Sequence, residues 1–239
     1  MELQNKVVVI TGASGGIGLA TAKVCASAGA RVVLAARSAE KLAQVAAELE
    51  RGGCQALAAP ADMTRQPEVE RLITETVRKF GRIDVLINNA GQSATGTVAE
   101  GSADDYRRVI ELNMLGPLYA IQAAVPAMRR NGGGIIVNIS SMTSKMAIPG
   151  LGLYASTKGA LNVLSATARA ELAGDNIRVI TVYPRITATD FGKNSIGDAE
   201  MRARQRTPRP GVPVDSPEHV AQKILEALRA EPAEQYMDA

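Results

Sequence analysis

Strand-like and helix-like segments alternate along almost the whole chain, and this order constrains the fold more than any other feature. Short β-branched runs occupy residues 6–11, 31–36, 55–59, 83–88, 134–140 and 178–183. Ala- and Leu-rich amphipathic stretches follow them at 16–28, 39–51, 67–80, 102–130, 152–173 and 216–229. The last of these opens with Ser216-Pro217-Glu218, a helix start signal. Parallel strands need long crossovers between them, and an alternating order supplies one each time. The expected fold is α/β, a doubly wound parallel sheet of Rossmann type, about seven strands with helices on both faces. Residues 234–237 are the candidate last strand. The stretch 102–130 reads as one long helix bent near Pro117 and Pro126. No linker or repeat interrupts the pattern, so 1–239 reads as one domain, and 46% hydrophobic composition suffices for one core. Residues 186–214 show no clear element. A segment of that length in a compact domain reads as a substrate lid, here carrying Arg202, Arg204, Arg206 and Arg209.

Between the first strand and the first helix lies TGASGGIG, residues 11–18. A glycine-rich turn at this junction lets the backbone approach a dinucleotide pyrophosphate, which the helix N-terminus attracts. Gly12, Ser14, Gly16, Ile17 and Gly18 are its candidate contacts. At the end of the second strand, an acidic residue would accept hydrogen bonds from a ribose 2′-hydroxyl. This chain has Ala36 and Arg37 there. A guanidinium suits a 2′-phosphate, so the expected cofactor is NADP(H).

Composition removes several other functions. The 27 basic and 24 acidic residues give a net charge of +3, too balanced for a nucleic-acid binder. Aromatic residues make up 3% with no Trp, which leaves no stacking platform for single strands. Cys25 and Cys54 have no CxxC spacing, and no metal site or disulfide framework is expected. The single histidine, His219, falls in the last helix and supports no Ser-His-Asp triad. The first apolar run is too short for a signal peptide or a membrane span, so the expectation is a cytoplasmic protein with no membrane partner.

Tyr154 and Lys158 lie four apart in a helical stretch and share a face. A neighbouring ammonium favours the phenolate, which would give a general acid and base usable near neutrality. Ser141, 13 residues earlier at the end of a strand, could hydrogen-bond a carbonyl oxygen as it becomes negative. Its neighbour Ser140 should face the other way.

TGASGGIG, the Asn-Asn-Ala-Gly of 88–91 and Tyr154-Ala-Ser-Thr-Lys158 occur in that order. Together they resemble the short-chain dehydrogenase/reductase family, from about residue 6 to the last helix. The resemblance implies catalytic roles for Asn113, Ser141, Tyr154 and Lys158, with the Asn113 backbone carbonyl holding a water behind the lysine. It implies that Asn89, Ala90 and Gly91 line the adenosine ribose, that Asp62 meets the adenine amino group beside Met63, and that Pro184, Ile186 and Thr189 border the nicotinamide. It implies hydride transfer between NADP(H) and a small-molecule carbonyl or secondary alcohol, in a homodimer or homotetramer built on the 102–130 and 152–173 helices. A 3-oxoacyl thioester reductase acting on an acyl carrier protein and a non-catalytic NADP(H)-sensing protein are the alternatives. Where the family usually has Pro-Gly, this chain has Pro184-Arg185, whose guanidinium would point into the cleft toward an anionic substrate or out to solvent.

Overall fold

The protein is described by a computed structural model covering residues 1–206 and 211–238. Of the arginine-rich stretch, Arg209 and the side chains of Arg204 and Arg206 lie outside the described residues. In chain order the first half contains β1 (Val7–Thr11), α1 (Gly16–Ser27), β2 (Arg31–Ala35), α2 (Ala39–Arg51), β3 (Ala56–Ala58), α3 (Gln66–Phe80), β4 (Val85–Asn88), β5 (Ala94–Thr95) and α4 (Ala103–Ile110). The second half contains α5 (Gly116–Arg130), β6 (Gly134–Ile139), α6 (Gly152–Leu172), β7 (Ile177–Tyr183), β8 (Ile196–Gly197), α7 (Ala199–Arg206), α8 (Pro217–Ala230) and β9 (Glu234–Tyr236).

Among the described residues, seven strands form one parallel sheet in the order β3-β2-β1-β4-β6-β7-β9. The chain builds outward from β1 in one direction, then returns beside it with β4 and builds in the other. The crevice at the C-terminal ends of β1 and β4 is therefore the switch point where such sheets bind ligands.

Alternation along each strand fills both faces. Val8 and Ile10 of β1 join Val85 and Ile87 of β4 in a core under α1, α2 and α8. Val7 and Val9 join Leu86 and Ile136 in a second core under α3, α5 and α6. Every residue of β1 is buried, which explains why the central strands read as unbroken apolar runs. Each fully buried Val or Ile side chain contributes ~1.5–3 kcal/mol. Helix starts are capped by serines: Ser38 accepts from the Lys41 amide, Ser102 from Asp105 and Ser216 from His219.

Two expectations are corrected. The stretch 102–130 is not one bent α-helix: a π-helical turn, Glu111–Leu115, divides α4 from α5. Pro117 sits in the first turn of α5, where a missing N–H costs little, and Pro126 lies inside that helix. Residues 186–214 are not without structure, since they hold α7 and β8. The two-residue β8 pairs in parallel with β5 through Ala94–Ile196 and Thr95–Gly197, too short a ladder for hydrophobic periodicity to reveal. Among the described residues, no helix is long and apolar enough to cross a membrane, and no group of three or more His, Cys, Asp or Glu could hold a metal ion. Both cysteines are free thiols.

Candidate active site

The glycine-rich turn leaves β1 at the switch point. Gly12 has φ +68° and Gly16 φ +52°, backbone that side-chain-bearing residues rarely adopt. A Cβ on Gly18 would stand 2.3 Å from the Gly12 carbonyl oxygen, so the turn closes this tightly only with glycine. α1 begins after Gly15 with no side-chain cap, leaving its first N–H groups for a ligand. Ser14 and Ile17 are half-buried beside them. A Cβ on Gly16 would stand 3.0 Å from the Thr189 side chain, so the structure brings together two candidate cofactor contacts far apart in sequence.

Asn89 follows β4. Its side-chain amide donates to the carbonyls of Thr11 at 2.9 Å and Gly12 at 3.3 Å. The Thr11 hydroxyl accepts in return from the backbone N–H groups of Asn89 and Ala90, both at 3.0 Å. Thr11 is thus a site-building residue that sequence reasoning passed over, although it opens the glycine motif itself.

Arg37 is exposed at the start of α2 and has no hydrogen bond or ion pair with the described residues. Asp62 uses one carboxylate oxygen to accept from the Thr64 N–H at 3.0 Å and the Thr64 hydroxyl at 2.8 Å. This is the turn-forming role open to any Asp after a strand, and it leaves the second oxygen without a hydrogen bond to the described residues. Met63 is buried, with its backbone against Gly116.

The candidate acid–base residues collect at the end of β6 and the start of α6. The Ser141 hydroxyl caps a 3-10 turn, Met142–Lys145. It accepts from the Thr143 N–H at 3.2 Å and the Thr143 hydroxyl at 2.9 Å. Both of its lone pairs are then used, and its own hydrogen is free to donate. Ser140 faces the other way, toward Asn162 on α6. Tyr154 is buried on the first turns of α6. Burial pushes its phenol up to about 12, with the Ser141 hydroxyl acting in the opposite direction. Lys158, one turn on, is buried and donates to the Ile139 carbonyl at 2.8 Å. Burial pushes its ammonium down to about 8. The expectation that Lys158 depresses the Tyr154 pKa is therefore corrected. Desolvation sets the direction of the shift, and the opposing influence comes from Ser141.

Asn113 is fully buried in the π-helical turn. Its side-chain oxygen accepts from the Gln92 N–H at 2.9 Å. Its amide donates to the Gln92 carbonyl at 2.9 Å and to the Thr157 hydroxyl at 3.0 Å. Thr157 in turn donates to the Tyr154 carbonyl at 2.8 Å. The side chain therefore ties the loop after β4 to α6. Its backbone carbonyl would find an α-helical donor four residues on, but that residue is Pro117, which has no N–H. A Cβ on Gly91 would stand 3.2 Å from the Asn113 side-chain oxygen and 3.5 Å from the Lys158 ammonium nitrogen, so all three converge.

After β7, Pro184 is buried, and its carbonyl accepts from the Met142 N–H at 3.0 Å. Ile186 is exposed. Arg185 takes neither direction expected of it. Its guanidinium makes a two-pronged ion pair with Asp215, at 2.8 and 3.1 Å. An opposite charge that is 93% withdrawn from solvent outcompetes both water and the cleft, since Asp215 is 7% exposed. Phe191, in the segment that follows, tilts over the Tyr154 ring with centroids 5.8 Å apart.

Known proteins place this geometry. Residues 6–200 match the family model described as short chain dehydrogenase. An uncharacterized oxidoreductase of Staphylococcus saprophyticus is 33% identical over 231 residues, covering 96% of this chain and 93% of that protein. One of Methylorubrum extorquens is 40% identical over 205 residues, covering 84% and 82%. Among solved structures, a 7α-hydroxysteroid dehydrogenase complexed with NADH and 7-oxo glycochenodeoxycholic acid superposes with a TM-score of 0.88 at 30% identity, covering 100% of this chain and 94% of that one. A 3-ketoacyl-(acyl-carrier-protein) reductase from Brucella melitensis complexed with NADH gives 0.87 at 26% identity, covering 98% and 97%. A short chain dehydrogenase/reductase from Burkholderia phymatum in complex with NAD gives 0.90 at 27%, covering 99% and 89%. With its parallel sheet, its glycine cradle and its Ser141, Tyr154 and Lys158 at one edge, this chain belongs to the short-chain dehydrogenase/reductase family of oxidoreductases.

Proposed function

We propose that the protein is an NADP(H)-dependent oxidoreductase acting on a small-molecule carbonyl or secondary alcohol. The observation that carries this reading is the gathering of Ser141 at the end of β6, of buried Tyr154 at the start of α6 and of Lys158 one helical turn on, its ammonium bound to the Ile139 carbonyl of β6, at the sheet edge that also bears the glycine cradle. The cradle fits a dinucleotide, because the space a Cβ would fill at Gly12 and Gly18 is already closed by backbone and Asn89, while Gly15 borders open space. Gly12, Ser14, Gly16, Ile17 and Gly18 would hold the pyrophosphate. Asp62, Met63, Asn89, Ala90 and Gly91 would take the adenosine half, and Pro184, Ile186 and Thr189 the nicotinamide side.

When bound, the nicotinamide gives or takes the hydride. In the reducing direction Tyr154 delivers the proton to the substrate oxygen, for which a neutral phenol is required and burial provides it. Ser141 donates its remaining hydrogen to the same oxygen as negative charge builds there. Lys158 sets a positive charge one helical turn from the phenol and would hold the nicotinamide ribose. Asn113, through its backbone carbonyl, would hold the water that passes a proton back toward Lys158. One hydride and one proton convert the carbonyl to the alcohol.

The preference for NADP(H) rests on Ala36 and on the exposed guanidinium of Arg37, which no described residue pairs. The three solved relatives carry NAD or NADH, which makes this the first point to test. A 3-oxoacyl thioester is the second substrate reading, supported by the likeness to the Brucella melitensis reductase. The sensor reading loses its motive, since Arg185 is engaged by Asp215 rather than by the cleft. We read the chain as one domain whose 186–214 segment covers the substrate, working in the cytoplasm as a homodimer or homotetramer. Val163, 68% exposed on α6, supports burial of that helix by a second copy.

The test is oxidation of NADPH, and of NADH in parallel, against a panel of ketones, aldehydes and an acetoacetyl thioester, with Tyr154→Phe as control. Turnover that needs Tyr154 and prefers NADPH is the expected result. Tight dinucleotide binding with no turnover across the panel would return weight to the sensor.

A further inference from the structure

The segment that follows β7 is fastened at its two ends by one ion pair. Backbone bonds first bring the ends together. The Asp215 N–H donates to the Ile186 carbonyl at 2.8 Å, and the Ala188 N–H donates to the Asp215 carbonyl at 2.9 Å. Thr187 and Asp215 form an isolated parallel bridge. The Arg185 guanidinium then closes on the Asp215 carboxylate with both prongs. Between these residues lies the whole stretch that carries Thr189 against the glycine turn and Phe191 over Tyr154. The far side of the stretch is held separately, by the β5–β8 ladder and by Gln92, whose amide donates to the Asn194 carbonyl at 2.8 Å.

We propose that Arg185 is a positioning residue: with Asp215 it clasps the base of the 186–214 segment and so fixes Ile186–Thr189 at the cofactor cleft. A glycine at 185 would leave this base to two backbone hydrogen bonds. Planar two-pronged pairing adds orientation as well as attraction, which a lysine would not reproduce. His219, the nearest other titratable group, has its ring nitrogen 4.0 Å from the Asp215 carboxylate. Asp238 also faces the cluster and is occupied by Lys223 at 2.8 Å. Neither replaces Arg185 as the partner that makes two hydrogen bonds. The consequence for cofactor binding rests on the dinucleotide reading given above; the clasp itself does not.

The experiment is a double-mutant cycle of Arg185→Gly, Asp215→Asn and both together, read in two ways. Limited trypsin digestion reports cleavage after Lys193 and Arg202, and fluorescence titration reports NADPH and NADH affinity. Each single variant is expected to speed that cleavage and to weaken dinucleotide binding by roughly tenfold, and the double variant to be no worse than either single, because the two residues act as one unit. The Michaelis constant for the dinucleotide should rise while kcat and its pH profile hold, which a general loss of folding would not produce. Cleavage rates unchanged in both singles, or single effects that simply add, would overturn the clasp. Faster cleavage with unchanged dinucleotide affinity would overturn the positioning role. If the unaltered protein binds no dinucleotide, the functional reading fails, and the digestion cycle still decides the clasp.

Discussion

The Asn89 side chain donates to the carbonyl oxygens of both Thr11 and Gly12, at 2.9 and 3.3 Å, and so bridges β4 to β1 where the strand order of the sheet reverses. It does at the sheet's open end what ladder bonds do within it. Asn89→Ala should therefore cost about 1–2 kcal/mol in urea unfolding, the range for losing a partly buried amide that satisfies backbone carbonyls. It should weaken dinucleotide binding as well. A variant of normal stability and affinity would show that the bridge is dispensable.

Ser141 is expected to matter beyond simple contact. Ser141→Ala should lower kcat by about 10²–10³, as for loss of one oxyanion donor. Thr143→Val removes the hydroxyl that occupies a Ser141 lone pair and should lower kcat by a smaller factor at unchanged dinucleotide affinity. Steady-state kinetics with a saturating dinucleotide separates the two. A Thr143→Val enzyme as impaired as Ser141→Ala would refute the orienting role.

Lys158 and Tyr154 should leave opposite marks on stability at alkaline pH. The Lys158 value lies near 8 in the folded chain against 10.5 ordinarily, so between these values the folded chain binds fewer protons than the unfolded one. Stability gains from this group as pH rises through that window. For Tyr154 the folded value, about 12, exceeds the ordinary 10, so the folded chain binds more protons between them and stability falls with rising pH. Denaturant unfolding from pH 8 to 12 should show the rise flattened in Lys158→Met and the later fall reduced in Tyr154→Phe. Parallel curves for all three proteins would contradict both assignments.

Arg37→Ser should reduce NADPH affinity by roughly ten- to a hundredfold, the worth of one charge-assisted bond, and leave NADH affinity nearly unchanged. Equal losses for the two dinucleotides would place the guanidinium elsewhere.

Gly18→Ala should disable the cradle. Its added carbon would meet the Gly12 carbonyl oxygen at 2.3 Å, a backbone atom that cannot swing aside, and the Asn89 side-chain nitrogen at 2.5 Å. A cost of about 1–3 kcal/mol in unfolding is expected, with loss of dinucleotide binding. Gly15→Ala is the control for stability alone, since no protein atom lies within 4 Å of its added carbon.

The sheet was legible because its signals are local: β-branched runs with both faces buried, and helices of regular apolar period between them. The motif residues were legible for the same reason, each lying in a short window. Partners set by long-range folding were not. Asp215 is 30 residues from Arg185, and nothing around Arg185 names it. β5 and β8 are two residues each and become strands only by meeting one another. The pKa balance at Tyr154 was misjudged because the sequence shows a lysine one turn away but not the depth at which both groups are buried.

The π-helical turn at Glu111–Leu115 behaves as one surplus residue spliced into a helix that would otherwise run straight from Ala103 to Arg130. Deleting one residue there would draw the turn back to α-helical pairing and leave the faces of α4 and α5 nearly where they were, since the bulge absorbs its extra residue. It would displace Asn113 from Gln92 and Thr157, and it would leave Pro117, which has no N–H, inside the merged helix. The site therefore depends on a length as much as on a residue, and a shortened helix could be more regular and yet inactive with every motif intact.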